Sequence, residues 1–501
     1  MLIVSQVLVV GAGPTGLALA CGLRLAGVEV RVVDRADGPA TTSRANFLHA
    51  RGGEVLDRLG ALGSLPEESE HAMAVTTYLG DRPLMRLRFG DPGLRTAAPP
   101  MVISQARVEG ELRRRLAGLG VEPEWGNALT AASQDDEGVT ATLSTGERVR
   151  TAWLVGCDGT GSTVRRVAGI TAPGVRLSER FLLADVHLGW DLDRSGTTGW
   201  IHPSGLLGAM PMPHPRGNLW RVLAYDPDGD DGDGTSQERL TEQQILERVR
   251  RVLPERTGRR VVVGEPEWLS QFTIHRRLAD HYRAGGIFLA GDAAHAHAPF
   301  GGQGMLTGLG DAENLAWKLA LVVRGLAGER LLDTYEAERR PLAKDVLRGT
   351  SAVTAIDVTR NAAGRFVRDR LVAPLFGLPW VQRKATWTAS QLWVTYRRGP
   401  LGRRSGPAPR PGDRVADVPC RAPDGTASRL HAHLGGMWAV LVPDTGTTAI
   451  STRLGDLAVA LTREDGRAET WLVRPDGHLA WRGSDPGELD TWLEETLGRR
   501  T

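Results

Sequence analysis

The chain has 501 residues, with 61 Lys and Arg against 59 Asp and Glu, a formal net charge of +2. That balance, with no basic block, excludes polyelectrolyte binding to nucleic acid or to an anionic membrane. At 41% hydrophobic and 24% charged residues the composition is that of an ordinary globular protein, and its length calls for two or three domains.

Met1 to Leu25 is apolar, yet no basic residue precedes Arg24, and Gly11, Gly13, Pro14 and Gly16 interrupt the run. A strand over Gln6–Val10 and a helix over Leu17–Leu25 explain it better than a signal peptide. Between them, GAGPTG opens a dinucleotide-binding βαβ unit. Gly11 permits the tight turn, Gly13 lets a pyrophosphate approach the backbone, and Gly16 lets helix and strand pack closely. The phosphates then meet free N–H groups at a helix N-terminus. Asp34 closes the next strand, Val28–Val33, 18 residues beyond Gly16, where a carboxylate grips a ribose hydroxyl.

Strands are expected near Tyr78–Phe89, a helix over Arg107–Leu119, and alternating strands up to Arg150. Trp153–Gly156 is a short apolar strand running into CDGTGSTVRR, from Cys157. A strand ending in Asp-Gly is by itself a common turn. Phe181 to Phe272 reads as β-rich, with one amphipathic helix over Glu242–Val252. Gly286–Ala290 is an apolar strand leading into GDAAHAHAPFGGQG, from Gly291. There Asp292 can accept hydrogen bonds from a ribityl chain, and the loop can lay bare N–H groups against a flat ring. A helix beginning near Leu306 points its positive end at the same place, which favours an anion on the ring. Helices then dominate to about Tyr396. A Pro/Gly/Arg-rich linker and a compact α/β unit follow.

Several features have plainer readings. The acidic stretch Asp226–Asp233 fails the calcium-loop pattern, since the glycine position holds Asp231 and the closing glutamate position holds Gln237. His295 and His297, two apart on a loop, read as loop structure, and no metal is expected. Cys21, Cys157 and Cys420 lack paired spacing and read as small buried hydrophobes in a reducing cytoplasm. Trp317 reads as core. The Trp and Met residues of Trp190–Trp220 fit strand packing and an aromatic pocket equally. No apolar stretch approaches a membrane span.

Taken together, GAGPTG, CDGTGSTVR and GDAAHAHAPFGGQGMLTGLGDAENLAWKL resemble the three signatures of the class A flavoprotein monooxygenases, the single-component aromatic hydroxylases. Their order and spacing match over residues 1–350. The tail, with LVRPDGHLAW at Leu472–Trp481, resembles the thioredoxin-like C-terminal domain of phenol hydroxylases and aromatic polyketide hydroxylases, without a CxxC. The resemblance implies an α/β fold in which a Rossmann-like FAD-binding domain is interleaved with a β-sheet substrate domain. The expected division is 1–76, 100–175 and 281–350 for FAD, 77–99 and 176–280 for substrate, 351–396 helical, 397–412 linker and 413–501 thioredoxin-like.

Carried across by residue, the resemblance assigns the FAD pyrophosphate to Gly11, Gly13 and Gly16 and the adenosine ribose to Asp34. It gives further cofactor contacts to Arg44, in TTSRANFLHAR, and to Gln105, in ISQARVEGEL. Asp158 and Arg165 serve FAD and a transient NADPH or NADH. Gly291 and Asp292 hold the ribityl chain and pyrophosphate. Pro299, Gly301, Gly302 and Gly304 face the isoalloxazine. Leu306 stands where the family usually has Asn, so a side-chain amide contact is lost. The implied activity consumes NAD(P)H and O2 and hydroxylates a bulky, polyketide-like aromatic through a C4a-hydroperoxyflavin, with no catalytic side chain assigned. Baeyer–Villiger insertion or epoxidation on the same scaffold is the alternative, and a non-enzymatic flavin redox sensor or assembly partner a third. A flavin halogenase is disfavoured, because no lysine precedes Lys318.

Overall fold

The computed structural model describes residues 3–42, 45–70, 74–80, 82–88, 96, 99–226, 239–296, 302–357, 375, 378–443 and 453–498. Arg44, His297, Pro299, Gly301 and most of the acidic stretch after Asp226 lie outside the described residues.

Three sheets organise the chain. The first has seven strands. Its parallel centre runs Ile287–Leu289, Arg148–Gly156, Ile3–Val10, Val30–Val33, with Val10 level with both Val33 and Gly156, and Gly156 level with Leu289. These strands are short, β-branched and buried on both faces, as a sheet covered by helices requires. The expected helix after GAGPTG starts earlier, at Pro14, whose fixed φ and missing N–H suit a first helical turn. The helix Gln303–Val323 packs on it and likewise begins before the expected Leu306.

The second sheet has eight strands, in the order His295–Ala296, Val262–Leu278, Gly174–Gly189, Leu219–Asp226, Gly205–Pro211, Gly196–His202, Ala74–Leu79, Arg82–Arg88. Alternation sorts its side chains. Trp220, Val222 and Ala224 join Ala184, Val186 and Trp200 under the helix Glu242–Thr257, through Ile245, Val249, Val252 and Leu253. Leu219 turns the other way, to Met212, Val102 and Phe47, at the seam with the segments around 47 and 102. Asp226 closes its strand in ion pairs with Arg180 at 2.7 Å and Arg248 at 2.5 Å.

The third sheet is six-stranded and mixed, Ala427–Arg429, Pro419–Arg421, Ala458–Arg463, Trp438–Val442, Thr470–Val473, Leu479–Gly483, followed by the helix Pro486–Leu497. Its Trp438, Leu472 and Leu493 belong to the same buried cluster as Val9, Leu19 and Leu315, so part of this α/β unit shares the first sheet's core, while Cys420, Leu430, Leu441 and Trp471 belong to a second cluster within the unit. Trp317 is core, as expected, edge-on to Trp438 at 5.1 Å. No described helix is long and apolar enough to cross a membrane.

Candidate functional site

Four neighbouring parallel strands end at one edge of the first sheet, and all three glycine-rich stretches leave from it. Val10 runs into Gly11, Val33 into Asp34, Gly156 into Cys157 and Asp158, and Leu289 into Ala290 and Gly291. The C-terminal edge of a parallel sheet is where ligands bind in open α/β folds.

The glycines are needed there for different reasons. Gly11 has φ +111°, and a Cβ on it would lie 2.4 Å from the Cys157 carbonyl oxygen. A Cβ on Gly16 would lie 1.9 Å from the Gly11 carbonyl oxygen, so helix Pro14–Leu25 could not pack on its strand. Gly13 differs: it has ordinary extended backbone, and a Cβ there would meet nothing within 4 Å. It stands at the helix N-cap with no side-chain hydrogen bond closing the first turn. Gly302, with φ +63°, is the equally uncapped start of Gln303–Val323. Gly304 lies one residue inside that helix. Gly291 and Gly308 both leave room for Thr15, whose Oγ1 would be 2.5 and 2.3 Å from their added Cβ atoms. The first and third stretches therefore touch through Thr15.

The polar residues divide into those already engaged and those left open. Asp34 accepts the Ala12 N–H at 2.6 Å on one oxygen and the Ala36 N–H at 2.8 Å on the other. Asp158 accepts the Ser162 hydroxyl and the backbone N–H groups of Thr163 and Val164, the latter two at 2.6 and 3.1 Å, capping the short helix Thr163–Val167. Buried Arg165 donates to the Ala293 carbonyl at 2.7 Å and to Thr160 at 2.9 Å, tying the second stretch to the third. Both residues thus shape the edge. Asp292 is exposed, with no partner among the described residues.

Sequence reasoning missed Glu109, Asp311 and Arg339. Gln105 begins the helix Gln105–Gly118 and donates Nε2–H to Glu109 Oε1 at 2.8 Å. Glu109 is 4% exposed, and burial pushes its carboxyl up against the pull of the Gln105 hydrogen bond, with Asp34 adding repulsion. Behind Gly291, Asp311 accepts the Gly291 N–H at 3.0 Å, His295 Nε2 at 2.5 Å and Arg339 Nε at 2.7 Å. Burial alone would raise its pKa, but His295 and Arg339 outweigh it and hold the carboxyl below its usual range. His295 is therefore a buried loop anchor, and its signal was the Asp in GDAENL. Leu306 is buried in the first turn of its helix, its Cδ1 facing Gly52.

The donor set suits FAD. Two uncapped helix N-termini beside an open glycine backbone can take a pyrophosphate, and an unpartnered carboxylate can take a polyhydroxyl chain. Among the described residues no side chain caps either helix end.

The comparisons agree. The FAD binding domain family matches residues 4–350. The 6-methylpretetramide 4-monooxygenase of Streptomyces rimosus is 38% identical over 96% of this chain and 91% of its own length. The dialkyldecalin synthase of Streptomyces rugosporus is 33% identical over 97% of this chain and 98% of its own. Among solved structures, the OxyS anhydrotetracycline hydroxylase of Streptomyces rimosus superposes with a TM-score of 0.80 at 32% identity, covering 100% of both chains. With its glycine-rich edges, its uncapped helix ends and this match over most of its length, the chain belongs to the FAD binding domain family, among the class A flavoprotein monooxygenases.

Proposed function

We propose that the chain is an FAD-dependent monooxygenase that consumes NAD(P)H and O2 and hydroxylates a bulky polycyclic aromatic of the polyketide type. The observation that carries this is the convergence of four strand ends and two uncapped helix N-termini on one edge, with the segments around 47 and 102 packed on the second sheet through Met212 and Leu219.

Bound FAD supplies the redox and oxygen-transfer chemistry. The chain supplies binding, orientation and exclusion of water. Gly11, Gly13, Gly16 and Asp34 hold the adenosine pyrophosphate half, with Gln105 beside it. Gly291 and Asp292 hold the ribityl half, and Asp158 and Arg165 shape the groove that the nicotinamide visits. Gly302 and Gly304 line the ring, where the helix beginning at Gln303 favours negative charge. Glu109, buried behind Gln105, holds the Gln105 amide in place beside the adenosine half.

The side of the eight-stranded sheet opposite the helix Glu242–Thr257 is read as the substrate wall. Phe181 stacks on Phe272 at 5.8 Å and meets Tyr225 edge-on at 5.9 Å, a surface suited to a fused-ring substrate. Beside them Arg221 forks onto Asp185 at 2.7 and 2.6 Å, with its guanidinium 5.5 Å from the Trp268 ring centre. Met210 and Met212 meet the Asn46 amide across the seam. Apolar walls keep water from the reaction, without which reducing equivalents are lost to peroxide.

The test is turnover of phenolic polycycles under labelled O2, with mass spectrometry of the product. One labelled oxygen per product supports the reading. Label only in water or peroxide refutes it. An unoxygenated cyclised product would favour the second reading that the dialkyldecalin synthase relative suggests, a flavoprotein used as a cyclisation scaffold.

A further inference from the structure

On the eight-stranded sheet, where His187 is the cross-strand partner of Leu219, three ligand-type side chains converge: His187 from Gly174–Gly189, His214 from the turn after Gly205–Pro211, and Glu267 from Val262–Leu278. His187 Nε2 lies 3.1 Å and His214 Nε2 3.2 Å from the same Glu267 Oε1, with the rings edge-on at 4.8 Å between centroids. Four ligands at about 2.0–2.1 Å around a tetrahedral ion stand roughly 3.3 Å apart, so both carboxylate–imidazole spacings are near ligand spacing.

The surroundings are built for these rings. The strand pair carrying His187 and Glu267 is irregular at this point, with register shifts on either side of Val186. Such bulges re-aim side chains. Gly264 packs directly against His187, where an added Cβ would meet its carbonyl oxygen at 3.1 Å. The Asn218 carbonyl accepts the Leu188 N–H at 2.9 Å, which sets the Asn218 Oδ1 2.8 Å from His187 Nδ1. With Nδ1 donating to that oxygen, the neutral ring turns its Nε2 lone pair toward the Glu267 carboxylate. In that tautomer Nε2 and Glu267 Oε1, 3.1 Å apart, are both acceptors, an arrangement that a bound cation satisfies. Among the described residues Glu267 has no Lys or Arg partner. A ligating histidine whose other nitrogen is held by an amide oxygen is the usual outer-shell arrangement.

We propose that His187 Nε2, His214 Nε2 and the Glu267 carboxylate form a site for a divalent transition-metal ion of the zinc class, with one coordination position open. Loading requires His214 to carry its proton on Nδ1, where it now accepts the Arg216 N–H at 3.2 Å. That contact lies in an exposed turn, and solvent replaces it. Glu267 is exposed as well and free to swing onto the ion. Two imidazoles and one carboxylate select zinc-like ions over magnesium and calcium, which prefer all-oxygen shells.

The test titrates untagged, FAD-loaded, chelator-treated protein with ZnCl2 by calorimetry. About one ion should bind per chain. His187→Ala, His214→Ala and Glu267→Gln should each weaken binding at least about tenfold, and Asn218→Ala by about tenfold through loss of ring orientation. His281→Ala, an exposed histidine elsewhere, should change nothing. Independently of any variant, Co2+ should give the visible absorption of a four-coordinate centre in the native protein. No saturable binding, binding unaltered in His187→Ala, or a six-coordinate Co2+ spectrum overturns the proposal, and the cluster is then two histidines sharing protons with a carboxylate. The readout is ion binding, so it stands or falls apart from the hydroxylation.

Discussion

At the residue scale, the glycines of the first stretch separate folding from binding. Gly11 and Gly16 are filled from behind by protein, whereas a side chain on Gly13 would point into open space. Gly13→Val should therefore fold with a melting temperature close to the parent apoprotein and yet fail to take up FAD, as read from the flavin absorbance after gel filtration. Normal flavin content would show that the pyrophosphate lies elsewhere. Gly16→Val should instead be lost at expression, because its Cβ would sit 1.9 Å from a carbonyl oxygen. Asp292→Ala removes an exposed carboxylate with no partner among the described residues, so stability should hold. FAD affinity should fall by roughly 1.5–3 kcal/mol, the range for a hydrogen bond to a charged group, measured by fluorescence titration. The cysteines invite no chemistry. Cys420 is fully buried, and burial pushes its thiol up to about 11, so Cys420→Ser should leave turnover unchanged.

At the element scale, what was legible in the sequence was local. A glycine that permits a turn, or an aspartate at a strand end, states its geometry in a few neighbouring residues. That is why the three stretches located the edge. Helix starts slipped by about a turn, since Pro14 and Gln303 begin helices whose apolar periodicity shows only later. Contacts across the fold left no such trace. The helix Ala50–Leu59 is the clearest case: buried Glu54 pairs with Arg51 at 3.1 Å and with Arg414, and Arg58 forks onto Glu313 at 2.6 and 2.9 Å. His431, from the third sheet's side, closes this cluster, with Nε2 3.0 Å from the Val415 carbonyl oxygen. Burial, with Arg58 adding repulsion, lowers its pKa from 6.5 to about 4. A histidine depressed in the fold gains its proton on unfolding, so the stability it contributes is present above pH about 6.5 and is lost as pH falls through about 4. Thermal melts from pH 7 to 4 should show this slope, and His431→Gln, which does not titrate, should flatten it. An unchanged slope would place the acid sensitivity elsewhere.

At the scale of the whole molecule, the third sheet completes the folding unit. One apolar cluster runs from Val7 in the first strand to Leu497 in the last helix, and the polar seam beside it is buried too. There Glu338 accepts Lys318 Nζ at 2.8 Å and Arg474 at 2.8 and 3.1 Å, while Asp476 meets Arg474, Asn314 and Trp317. Burial alone would raise the Glu338 pKa, but Arg474 and Lys318 hold it at about 2. A buried network of this kind is weak as glue yet costly to break, because removing one member strands the others without compensation. Glu338→Gln should thus cost about 3–5 kcal/mol, seen as a lower melting temperature at pH 7. The loss should shrink as pH falls below about 4.5 toward 2, where the native glutamate is itself neutralised. Because this seam joins the helix Arg330–Asp357 to the third sheet, the damage should not stay in the C-terminal unit. Calorimetry of the variant should keep a single transition, shifted down, with flavin released in the same step. Two resolved transitions, with flavin held through the first, would show instead that the C-terminal unit is a detachable passenger whose core is its own.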